Sequence, residues 1–135
     1  MLTLESKKGI ARGSQEKVYQ YLSDFRNFAG MLPVNQLRDL KITDDTLRFS
    51  MDGVGPIGLR ISERTPNTQL VVSGTEDSAA RFSFRFNIEA LSDHESGISL
   101  TLDASLNMFM EMMARGPLQQ FTDLVIDKLS TVEFN

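Results

Sequence analysis

GPLQQFTDLVIDKLSTV, residues 116–132, carries an apolar stripe at helical spacing: Leu118, Phe121, Val125, Leu129 and Val132, flanked by Leu124 and Ile126. Asp123, Asp127 and Ser130 fall on the opposite face. Local signals predict that the helix starts here. Gly116 suits an N-cap, and Pro117 suits N1, where a missing N–H costs nothing. Nearly everything upstream reads as strands. A sheet with one apolar face needs a cover, and a one-sided helix at the end of the chain supplies it.

The strongest strand signal lies just before this helix. In RFSFRFNIEA, residues 81–90, Phe82, Phe84, Phe86, Ile88 and Ala90 share one face, and Arg81, Ser83, Arg85, Asn87 and Glu89 share the other. After a polar turn at residues 92–97, Ile98, Leu100, Leu102, Ala104 and Leu106 repeat the alternation. One dry face and one wet face predict an antiparallel hairpin. Between hairpin and helix, NMFMEMMARGP (residues 107–117) reads as an irregular lead-in or a short helical turn, interrupted at Gly116-Pro117.

Further upstream, Leu2 and Leu4 alternate with Thr3 and Glu5 in a first strand over residues 2–10; Lys8 shares their phase, so the strand bends there or Lys8 points inward. Ser14 is placed to cap a helix with Val18, Tyr21, Leu22 and Phe25 on its apolar side. Ser23-Asp24 opens a second short helix that ends at Pro33. Strands are expected over residues 36–43, 46–52, 57–64 and 69–75, with GVGPIG (residues 53–58) as a break between two of them. Consecutive strands joined by short turns make the sheet antiparallel.

The chain has 135 residues, 41 % hydrophobic and 24 % charged, and is read as one domain over residues 1–135. A net charge of -4 offers no broad attraction to nucleic acid or anionic lipid. The absence of cysteine excludes disulfides, thiolate metal sites and a cysteine nucleophile. No apolar run is long enough for an integral membrane segment, and no secretion signal is visible, so the cytoplasm is the expected compartment.

The order of one strand, two short helices, about six strands and a long helix resembles the START-like or SRPBCC superfamily. Its members include lipid-transfer domains, polyketide cyclases and ubiquinone-binding proteins. The most specific match is SQEKVYQYLSDFRNFAGMLP, residues 14–33, which is similar to that superfamily's opening helix pair. The resemblance implies an α+β helix-grip fold: a curved antiparallel sheet of about seven strands around a long C-terminal helix. It also implies a cavity between sheet and helix. Residues facing that space would be Phe49, Met51, Leu59, Ile61, Phe84, Phe86 and Leu102 from the sheet. Met31, Leu32, Phe121 and Val125 would face it from the helices, with Met112 and Met113 near its mouth.

Candidates for chemistry are few. His94 is the only histidine and sits in a polar turn, and one histidine without cysteine does not make a zinc site. The carboxylates are scattered, with no pair set up for acid–base work. Glu63 and Lys8 share the phase of inward apolar residues, and with Tyr19 and Tyr21 they are the only loose candidates for an inward acid or base. Arg48, Arg60, Arg81 and Arg85 lie on the outer phase; they can gather into a basic patch for a phosphate or acidic partner, but pairing with Glu89, Asp52 and Asp103 across strands is the preferred expectation. No cofactor, metal ligand or catalytic residue is assigned. The first reading is non-catalytic binding or transport of an apolar or amphipathic small molecule, such as a lipid, isoprenoid quinone or polycyclic aromatic. The alternatives are a cyclase, dehydratase or hydrolase of the same fold, and a protein-binding module acting through the outer sheet or the Met-rich segment. A homodimer is compatible with the sequence.

Overall fold

A computed structural model of the chain describes all residues except 1, 29–36, 52–54, 77, 79–80, 133 and 135, and the side chains of residues 28 and 51. The described elements are β1 (Leu2–Glu5), β2 (Gly9–Ala11), α1 (Gln15–Leu22), a short 3-10 turn (Phe25–Phe28), β3 (Leu37–Ile42), β4 (Thr46–Met51), β5 (Gly55–Thr65), β6 (Gln69–Gly74), β7 (Arg81–Ala90), β8 (Ser96–Ser105) and α2 (Met108–Leu129). The strands form one antiparallel sheet in the order β1-β8-β7-β6-β5-β4-β3, with β2 also on β8. This is the open antiparallel sheet and long C-terminal helix of the helix-grip fold.

The hairpin of β7 and β8 is the longest pairing in the sheet. Phe82, Phe84, Phe86 and Ile88 are buried and stand opposite Ala104, Leu102, Leu100 and Ile98, which are buried too. The alternation read from the sequence is therefore the register of the pair. On the outer face, Asp103 accepts a 2.7 Å hydrogen bond from Thr3 Oγ1. Arg60, Arg81 and Arg85 form no ion pair with another described residue, so the expected cross-strand pairing does not hold for them. Asp52 lies outside the described residues.

Two irregularities change which side chains face inward. The first lies between β1 and β2. Glu5 stands opposite Thr101 and Gly9 opposite Ile98, so this edge carries one residue more than β8 does. The Ser6 hydroxyl fills the gap by accepting from the Leu100 N–H at 2.8 Å. One added residue reverses the alternation, so Gly9 and Ala11 face inward and Lys8 is exposed. The second lies in β5, where Ile61 stands opposite Val72 but Glu63 opposite Val71. Ser62 is the extra residue, and it turns Glu63 to the solvent side. GVGPIG is likewise only partly a break: Gly55 and Pro56 already belong to β5, opposite Met51 and Ser50.

The opening helix pair forms as its residues dictate. Ser14 caps α1 by accepting from the Lys17 N–H, and Val18 and Leu22 are its buried stripe. Asp24 then accepts the Arg26 N–H at 2.9 Å and holds the Arg26 guanidinium, which pushes its carboxyl below the usual aspartate range. Phe25, just behind, is buried, and its N–H donates to Asp44 O in the β3–β4 turn at 2.8 Å. The expected continuation of this segment to Pro33 lies outside the described residues.

α2 is longer than the local signals predict. It is one helix of 22 residues whose N-cap is Asn107, with Pro117 inside it. The Asn107 side chain accepts from the Met110 N–H at 2.8 Å, satisfying one of the first-turn donors. Gly116 is therefore no cap and Pro117 no N1 residue. Pro117 is exposed, so water can serve the carbonyl it leaves without an intrahelical partner. The C-terminal half packs on β1, β2 and β8 through Thr122, Val125, Ile126 and Leu129, all buried. Asp123 and Asp127 are not simply solvated. Asp123 accepts from the Lys7 N–H at 2.8 Å, Asp127 pairs with the Lys7 ammonium, and Gln119 Nε2 donates to Glu5 O at 2.9 Å. These contacts tie the helix to the irregular edge between β1 and β2.

Gly9 lies under that attachment. A methyl group there would come within 2.6 Å of Ile126 Cγ2 and 2.9 Å of Ser130 Oγ. Gly9→Ala is therefore expected to lift α2 from β2 and to cost about 1–3 kcal/mol. The measurement is a lower urea midpoint with an unchanged m value.

Candidate functional site

The inner sheet face and the middle of α2 line a partly open pocket of about 40 Å³. The sheet contributes Leu47, Leu59, Val72, Phe84, Phe86 and Leu100; α2 contributes Phe121 and Val125, and the 3-10 turn contributes Phe25. Every one of these described lining side chains is apolar. Phe84 and Phe121 meet edge to face across it, ring centroids 6.2 Å apart at 69°. Phe82 stacks on Phe84 from the same strand at 6.3 Å. Edge-to-face and offset contacts of this kind hold rings in fixed orientations beyond what area burial alone would do.

Five of the residues predicted to face this space line the pocket: Leu59, Phe84, Phe86, Phe121 and Val125. Ile61 and Leu102 are buried in the surrounding core, and Phe49 is packed against it half-buried. Met112 and Met113 do not reach the pocket; they are 77 % and 65 % exposed on the outer side of α2. The cause is the helical continuation of residues 108–116, which points Ala114 and Leu118 toward the protein and the methionines away. Met31 and Leu32 lie outside the described residues, as does the side chain of Met51. Sequence reasoning passed over Phe25, Leu47, Val72 and Leu100 as lining residues. Leu47 shares the phase of Phe49, and Val72 and Leu100 stand opposite Phe84 and Phe86. That last signal becomes readable only once the register is known.

Among the described residues, no acid or base lines the pocket. Lys8 and Glu63 face solvent for the reasons given above. Tyr21 donates to Asn27 O at 3.2 Å and meets the Phe134 ring edge-on at 5.1 Å. Burial pushes its phenol above the usual tyrosine range, so it stays neutral at physiological pH. His94 is exposed in the β7–β8 turn. Among the described residues, no group of three or more His, Cys, Asp or Glu could hold a metal ion. Among them, too, no helix is long and apolar enough to cross a membrane.

No protein-family model matches this chain, and no curated protein does. Solved structures do. A START superfamily protein from Mycobacterium smegmatis superposes with a TM-score of 0.66 at 14 % identity, covering 97 % of this chain and 99 % of that one. A Chromobacterium violaceum protein gives 0.64 at 16 % identity over 96 % and 99 %. Norcoclaurine synthase from Thalictrum flavum, in complex with dopamine and hydroxybenzaldehyde, gives 0.66 at 11 % identity over 99 % and 90 %. Similarity over nearly the whole length of proteins with such different sequences, together with the strand order and the helix laid across the sheet, establishes that this chain has the START-like helix-grip fold.

Proposed function

We propose that this protein binds an apolar or amphipathic small molecule, of the lipid, isoprenoid quinone or polycyclic aromatic class, between the inner sheet face and α2, without chemical conversion. The observation that carries this reading is that the described lining of the pocket is wholly apolar. Such a surface rewards burial of hydrocarbon and offers no group to move a proton. Norcoclaurine synthase shows that the fold is found in a synthase with ligands bound. The enzymatic alternative for this chain needs an inward acid or base, and Lys8 and Glu63 are turned outward.

The pocket's size sets a condition on the guest. About 40 Å³ holds a few carbon atoms, whereas a bound molecule of drug size occupies roughly 300–1,000 Å³. A lipid or quinone therefore enters only if side chains give way, and Phe121 is the side chain best placed to do so. It is half-buried and stands on the helix rather than the sheet. Native mass spectrometry of protein purified from a cell extract, followed by organic extraction, tests the proposal. A stoichiometric apolar molecule is expected. A bare protein mass, together with no uptake of an apolar fluorescent probe, would overturn it.

A further inference from the structure

The first half of α2 is built inside out. Met108, Phe109, Met112 and Met113 are 81 %, 69 %, 77 % and 65 % exposed. At 100° per residue they form one stripe, with Gly116 on the same face and Ala114 and Leu118 on the other. The stripe is independent of the pocket.

We infer that this stripe is a self-association surface, and that a second copy of this chain covers it by laying the same half of α2 antiparallel against it. Three observations favour a second copy. The first is area. At roughly 200 Å² for each fully exposed side chain of this size, the stripe presents roughly 600 Å², so two copies can bury at most roughly 1,200 Å² through it, a ceiling that lies above the ~1,000 Å² expected of a specific interface. The second is shape. A two-fold axis beside Met112 brings Met108 of one copy level with Gly116 of the other. Gly116 is exposed, and a side chain added there would meet nothing within 4 Å. Bulk therefore faces a gap on both sides at once, as an isologous contact requires. The third is charge. Arg115 is the only basic residue of α2 on this half, and the chain carries a net charge of -4. An interfacial helix that docks on lipid needs a basic polar face, so a membrane is the poorer occupant. Methionine suits such a contact because its unbranched side chain repacks readily against a like surface.

Sedimentation velocity of the full chain across a concentration series tests this, with Met112→Glu and Gly116→Met as variants. Leu91→Glu, an exposed apolar residue in the β7–β8 turn, is the control. The wild type is expected to pass from monomer to dimer as concentration rises. Met112→Glu should raise the midpoint concentration at least tenfold, and Gly116→Met should raise it by filling the gap. Leu91→Glu should leave it unchanged. Circular dichroism confirms that the variants, all at exposed positions, remain folded. A monomer at every concentration up to several hundred micromolar would overturn the inference. So would a dimer indifferent to Met112→Glu, or a stripe that partitions onto lipid vesicles while the protein stays monomeric.

Discussion

Phe84→Ala is expected to lower the free energy of unfolding by about 3–5 kcal/mol. Phe84 stands in the middle of β7, opposite Val72 on one side and Leu102 on the other, and it is only 9 % exposed. Its ring touches Phe82 in its own strand and Phe121 in α2, so one truncation removes contacts within the sheet and between sheet and helix. For a domain whose whole stability is of the order of 5–15 kcal/mol, that is a large share. Urea unfolding followed by far-ultraviolet circular dichroism reads the loss as a lower midpoint. The same substitution opens a void beside the existing pocket. Apolar cavities of that kind stay dry and accept small apolar guests. Saturating a stable variant with such a guest should return part of the lost stability, because a ligand that binds only the folded state stabilises it by mass action. A loss below about 1 kcal/mol would mean that Phe84 does not hold sheet and helix together.

Joint replacement of Gly116 and Pro117 by alanine is expected to stabilise the protein by about 2–4 kcal/mol. In a helix interior, glycine costs about 1 kcal/mol and proline about 3 kcal/mol relative to alanine. Alanine at residue 117 restores an N–H for the Met113 carbonyl, and alanine at residue 116 adds a methyl group where nothing lies within 4 Å. The experiment also separates two accounts of this segment. If the helix began at Gly116, with Pro117 at N1, removing a favourable first-turn proline would gain nothing and would tend to destabilise. The measurement belongs at low protein concentration, where self-association through the same face contributes least.

How much of this was readable from the chain differs from element to element. The hairpin of β7 and β8 was fully legible, because a period of two in Phe, Ile and Leu has one physical meaning over ten residues. The Ser14 cap was legible because a short hydroxyl side chain before an apolar helical stripe has a defined partner in the backbone. The onset of α2 was not. Gly-Pro is a strong local stop signal, yet the Asn107 cap and methionines of good helix propensity carry the helix through it. Of the pocket, the aromatic and aliphatic residues of the inner face were foreseen in part. Phe25 and Leu100 were not, because their meeting depends on which strands and turns end up opposite one another.

The chain by itself determined an antiparallel sheet with one apolar face, a capped opening helix and a closing amphipathic helix to cover the sheet. Each of these follows from interactions between residues a few positions apart. Only the tertiary structure decided that Lys8 and Glu63 face water, that the described lining of the pocket is apolar, and that the Met-rich half of α2 looks outward. The pocket's lining depends on which strands stand opposite one another; the other two outcomes share a simpler reason. A single extra residue in a strand, or a helix begun two turns early, leaves almost no mark on composition, yet the first reverses the side chains that follow and the second sets the direction of those in the added turns.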